Sequence, residues 1–99
     1  MSYNIILSPI AAKNLEDAIY FYKDLPDKKV VKKFILDYQK TLKALKTNPY
    51  FQFHDNYYRF LPFKKFPFVV FFIADEKSKT VFLNAIFHTS QNPKKYPKI

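Results

Sequence analysis

The first apolar run, Tyr3 to Leu7, has strand character and is too short for a helix. Ser8-Pro9 then offers a helix start, a hydroxyl to accept from free N–H groups and a proline at the first helical position. From there Ala11, Leu15, Ala18, Ile19, Tyr22 and Leu25 recur at three- and four-residue spacing, one face of a helix. Glu16 and Asp17 are expected near its positive N-terminal half. Leu25-Pro26 ends it, because a residue before proline avoids helical geometry. Pro26-Asp27 opens a second helix whose stripe is Val30, Val31, Phe34, Ile35, Tyr38, Leu42 and Leu45, and Asn48-Pro49 stops it. Two helices joined by a proline turn predict an antiparallel hairpin.

After residue 50 the period changes. Tyr57 to Phe63 mixes polar and apolar residues with aromatic enrichment and reads as a strand. Phe68 to Ala74 is uniformly apolar, as in a strand buried on both faces. Asp75-Glu76-Lys77-Ser78-Lys79 is a charged turn, and Thr80 to Phe87 is the returning strand. The expectation is an α+β fold: an N-terminal strand, an α-helical hairpin, then a three-stranded antiparallel meander with the helices packed on one face of the sheet. One domain is expected over residues 1–99, with 90–99 a polar, basic, proline-punctuated tail.

Composition narrows what such a domain does. The 99 residues carry 17 Lys+Arg against 8 Asp+Glu, a formal charge of +9, and Arg59 is the only arginine. Glycine is absent, which removes the dinucleotide fingerprint, the phosphate-cradling Walker loop and the nucleophile elbow, since each needs backbone that a Cβ obstructs. Without cysteine there is no disulfide framework, zinc ribbon or thiol nucleophile, which suits the cytosol. Two histidines and eight scattered carboxylates show no ligand spacing, so neither metal nor cofactor is expected. The longest apolar run, residues 66–74, is far below the ~18–20 residues that span a bilayer, so no membrane role is expected.

The charge therefore belongs to a surface. The second helix carries Lys28, Lys29, Lys32, Lys33, Lys40, Lys43 and Lys46 against Asp37 alone, and Lys94, Lys95 and Lys98 lie in the tail. This is either an ordinary solvated face or a footprint for nucleic acid, ribosome or an acidic protein. Lysine draws phosphate but reads bases poorly, so sequence-specific DNA recognition is not expected. A metal-free ribonuclease needs a proton acceptor, a proton donor and cations around the phosphorane. His88, Tyr96 or Tyr58, and Arg59 are the candidates; Arg59 alone can grip phosphate bidentately. The plainer readings are a strand-end hydrogen bond for His88, a brace with Asp55 or Asp75 for Arg59, and no role for His54. The phenylalanines exceed what one face of a small sheet needs. The surplus, with Phe66, Phe68 and Phe82 as candidates, is expected to line a groove for a partner segment.

Taken in order, these features resemble the RelE/ParE toxin superfamily. The Ser8-Pro9 helix start, the second helix ending in Leu-Lys-Thr-Asn-Pro49, Arg59-Phe-Leu-Pro-Phe, Lys65-Phe-Pro-Phe-Val-Val-Phe-Phe, Ile86-Phe-His88, Asn92-Pro93 and Tyr96 carry the resemblance across about residues 3–97. It implies a cytoplasmic toxin of a bacterial type II toxin–antitoxin pair, of the kind called plasmid stabilisation proteins. A cognate antitoxin would neutralise it as a hetero-oligomer. Two mechanisms occur in the family, poisoning of DNA gyrase and ribosome-dependent cleavage of mRNA, and the details here look closer to the ParE, gyrase-directed branch. The resemblance implies Arg59, His88 and Tyr96 as catalytic only in the nuclease case, and Lys64, Lys65, Lys94 and Lys95 as contacts to target or nucleic acid. Gln91 stands where relatives commonly carry an arginine, a departure that counts against the nuclease and also weakens the transfer of the gyrase activity. An inactive member that serves only as antitoxin-binding or autoregulatory subunit is the third reading.

Overall fold

The computed structural model describes residues 2–89. In chain order the elements are β1 (Asn4–Leu7), α1 (Pro9–Lys23), α2 (Lys29–Thr47), β2 (Arg59–Pro62), β3 (Phe68–Asp75) and β4 (Thr80–His88). They build one four-stranded sheet in the order β1-β4-β3-β2. The meander β2-β3-β4 is antiparallel, as expected, and β1 lies parallel to β4 at its edge. A parallel neighbour needs a long crossover, and the helical hairpin with the remaining meander supplies it.

Local chemistry sets the boundaries. Ser8 Oγ accepts the Ala11 N–H at 3.0 Å and its hydroxyl donates to the Asn84 carbonyl at 2.8 Å, so the cap of α1 is also tied to β4. No acidic residue occupies the first turn of α1. Glu16 and Asp17 lie further in, beyond the reach of the N-terminal partial charge, and Asp17 instead pairs with Lys13 at 3.0 Å. Between the helices, Lys28 Nζ donates to the Lys23 carbonyl at 2.8 Å, closing α1, while Asp27 Oδ1 accepts the Lys29 N–H at 2.9 Å, opening α2. The expected strand from Tyr57 shortens to begin at Arg59, because the Asp55 carboxylate accepts the N–H groups of both Tyr57 (2.8 Å) and Tyr58 (2.9 Å) and curls that segment into a loop. These bonds hold the Asp55 carboxyl below its usual range. With no glycine available, the β3–β4 turn places Lys79 in the left-handed region at φ 51°.

Side-chain faces follow from the register. β4 carries one extra residue, Asn84, between the pairs Phe72–Leu83 and Phe71–Ala85, so its alternation is reset there. Phe68, Val70 and Phe72 of β3, Val81, Leu83 and Ile86 of β4, and Ile5 and Leu7 of β1 join the helical core residues Ala11, Ala18, Tyr22, Phe34 and Leu45. Phe34 is fully buried, with ring centroids of Tyr22, Phe68, Phe66 and Phe63 at 5.1, 5.3, 5.4 and 5.9 Å. The other face of the sheet presents Ile6, Phe82 and Ile73 in one cross-strand row, and Phe71 ringed by His54, Phe60 and Phe87. Asp37 locks α2 to the β2–β3 connection: it is 3% exposed, and its Oδ2 accepts the N–H groups of Lys65 and Phe66, both at 2.9 Å.

Candidate functional site

Arg59 opens β2 opposite Phe72, and its guanidinium lies over two rings, 4.0 Å from the Phe53 centroid and 5.1 Å from that of Tyr50. Its Nη1 donates to the Phe51 carbonyl at 2.6 Å. The expected brace with Asp55 or Asp75 is not made. Those carboxylates accept from the backbone and side chains of their own turns, and the ion pairs among the described residues are Lys13–Asp17 and Lys79–Glu76. Tyr50 continues the cluster: its hydroxyl lies 2.9 Å from that of Tyr3, and Lys79 Nζ sits 5.2 Å over the Tyr3 ring. The Tyr3 hydrogen bond is the main cause that pushes the Tyr50 hydroxyl up to about 12. Two cations and three rings thus line one end of the sheet, where planar guanidinium and ammonium are held by ring quadrupoles.

His88 closes β4 at the other end, opposite Phe68, whose ring it meets edge to face at 5.1 Å. It borders a shallow cleft of about 380 Å³ with Asn14, Asp17, Phe21 and Ile86. Arg59 and His88 flank β3 on opposite sides and are offset by four residues along it. At about 3.4 Å per residue and 4.8 Å per strand their backbones stand roughly 17 Å apart. The fold does not bring them to one phosphate. Tyr58 lies near Arg59 and packs against Tyr57, its ring 5.0 Å away. Tyr96, Lys94 and Lys95 lie outside the described residues.

Lys64 and Lys65 are exposed in the β2–β3 connection, at the His88 end. Lys64 also rims a cleft of about 400 Å³ between α2 and β2, lined by Phe51, Leu61, Ala44 and Thr41, with Lys40 on the facing rim. The three candidate groove phenylalanines share no surface. Phe68 is buried and Phe66 half-buried in the cluster around Phe34, whereas Phe82 is 38% exposed on the opposite face of the sheet. They separate because Phe68 shares the core face of β3 with Val70 and Phe72, whereas Phe82 pairs with Ile73, five residues along β3 and so on the other face. In the sequence Asp37 reads only as a charge, although its place among Phe34, Tyr38 and Thr41 puts it on the inward stripe. Tyr50 and Phe53 carried no periodic signal; only the fold sets them around Arg59. Among the described residues no three His, Cys, Asp or Glu side chains gather as metal ligands, and no helix is long and apolar enough to cross a membrane.

No protein-family model matches this chain, and no curated protein matches its sequence. Solved structures do match its fold. A chain of the chromosomal ParDE TA system from P. aeruginosa superposes with a TM-score of 0.72 at 18% identity, over 90% of this chain and 98% of that one. A mutant of the E. coli toxin RelE in the free state gives 0.55 at 11% identity, over 91% and 86%. The isolated E. coli RelE toxin gives 0.50 at 8% identity, over 94% and 90%. The chain therefore has the RelE/ParE fold, and it is nearer to the ParDE chain than to RelE.

Proposed function

We propose that this chain is the toxin of a bacterial type II toxin–antitoxin pair, cytoplasmic, held by a cognate antitoxin in a hetero-oligomer, and directed at DNA gyrase. The observation that carries the reading is the fold correspondence with the ParDE chain, which takes in 90% of this chain and 98% of the other. The separation of Arg59 from His88 across β3 supports binding over RNA cleavage, because a ribonuclease needs its proton-transferring group and the cation that stabilises the phosphorane within reach of one phosphate. Arg59 is moreover engaged by Phe51, Tyr50 and Phe53, so its planar donors serve the fold as well as any ligand.

The test is induction of the chain alone in bacteria, and together with any small acidic protein that a neighbouring reading frame encodes. Filamentation with DNA-damage signalling, loss of supercoiling by purified gyrase, and rescue by such an antitoxin are the expected results. Growth arrest through immediate translation stop and cut mRNA would transfer the chain to the ribosome-directed reading; unimpaired growth would make it an inactive binding subunit. His88→Ala is expected to keep at least half of the gyrase inhibition, whereas it would abolish a nuclease.

A further inference from the structure

The second helix holds more charge than its fold explains. Lys28 is occupied by the Lys23 carbonyl. Lys29, Lys32, Lys33, Lys40, Lys43 and Lys46 are all exposed, and none belongs to an ion pair among the described residues. At 3.6 residues per turn, Lys29, Lys32, Lys33, Lys40 and Lys43 fall within an arc of about 100°, opposite Phe34, Thr41 and Leu45. The one acid of the helix, Asp37, points inward and is consumed by two backbone N–H groups, so nothing on α2 offsets that arc. A helix face that is merely solvated interleaves acids at i+3 and i+4, as Lys13–Asp17 does on α1. Here Lys29–Lys33, Lys29–Lys32 and Lys40–Lys43 are like-charge neighbours at those spacings, each destabilising until a polyanion neutralises it.

The spacing favours a duplex. Lys29, Lys32 and Lys33 form one group and Lys40 and Lys43 another, with centres about 15 Å apart along the axis. Leu36, 55% exposed, projects between them. A major groove about 12 Å wide presents its two phosphate ridges at a comparable separation. We propose that the outward face of α2 docks across the major groove of duplex DNA, contacting phosphates and reading no sequence. The proposal goes beyond the gyrase reading and holds whichever machine the chain arrests.

The experiment titrates the purified full chain into a fluorescein-labelled, mixed-sequence DNA duplex of about 24 base pairs between about 50 and 200 mM KCl. With four to five phosphates neutralised, log K should fall with log salt at a slope of about −4, roughly 250-fold weaker binding across that range. Lys29→Gln/Lys33→Gln/Lys40→Gln should lower the slope by about 3, and Lys32→Gln/Lys43→Gln by about 2; Lys13→Gln/Lys23→Gln/Lys77→Gln, which removes equal charge elsewhere, should change it by less than about 1. Scrambled duplexes should bind within about twofold of one another. The proposal fails if the control triple lowers the slope as much as the α2 triple. It also fails if a single strand of the same length or duplex RNA binds as tightly, or if polyglutamate binds more tightly and so assigns the face to an acidic protein. Unchanged far-UV circular dichroism shows that each variant is folded.

Discussion

Arg59 and Tyr50 show how much of the chemistry of this chain is spent on itself. A guanidinium between two rings, with one N–H on a carbonyl, braces the 50–59 segment in the way that a salt bridge was expected to. The tyrosine pair beside it has a measurable signature. Because the Tyr3 hydrogen bond raises the Tyr50 hydroxyl to about 12, the folded chain holds that proton more tightly than the unfolded chain, whose tyrosines titrate near 10. The stabilisation is complete below about pH 10 and is lost as pH rises toward 12. Titration followed by tyrosinate absorbance should show this late group in the native protein, and Tyr3→Phe should move it back toward pH 10. Asp37 makes a second residue-scale prediction. Asp37→Ala leaves the N–H groups of Lys65 and Phe66 without their acceptor and should cost about 2–4 kcal/mol, read from the urea midpoint. The Tyr50 role was not legible in the chain, and of the Asp37 role only the inward position was. Asp37 reads as a stray acid in a lysine helix, and its partners lie 28 and 29 residues away.

At the scale of elements the pattern was largely readable, because capping and periodicity act within a few residues. Ser8-Pro9, Leu25-Pro26 and Asn48-Pro49 mark ends that the structure places within about three residues of expectation. Where a boundary moved, a short-range competitor explains it: Asp55 captures two N–H groups that a longer β2 would need. Ser8 joins two elements, so its removal should cost more than an ordinary cap. Ser8→Ala loses both the bond to the Ala11 N–H and the one to the Asn84 carbonyl, an expected ~1–2 kcal/mol by urea unfolding, with Ser8→Thr recovering most of it.

At the scale of the whole molecule one ring holds the layers together. Phe34 touches α1 through Tyr22, β3 through Phe68 and the β2–β3 connection through Phe63 and Phe66. Phe34→Ala should cost about 3–5 kcal/mol, a large share of the ~5–15 kcal/mol a domain possesses, and should lower the thermal midpoint by more than about 12 °C in calorimetry. Which elements exist, their order, the inward stripes of both helices and the lysine face of α2 can be read from the residues alone, since each is a pattern within local segments. Long-range pairing of the strands sets the rest: β1 lies parallel beside β4, Arg59 and His88 stand apart on opposite sides of β3, and Phe68 and Phe82 face opposite ways. Those facts depend on strand register, in which a single extra residue such as Asn84 exchanges one face for the other.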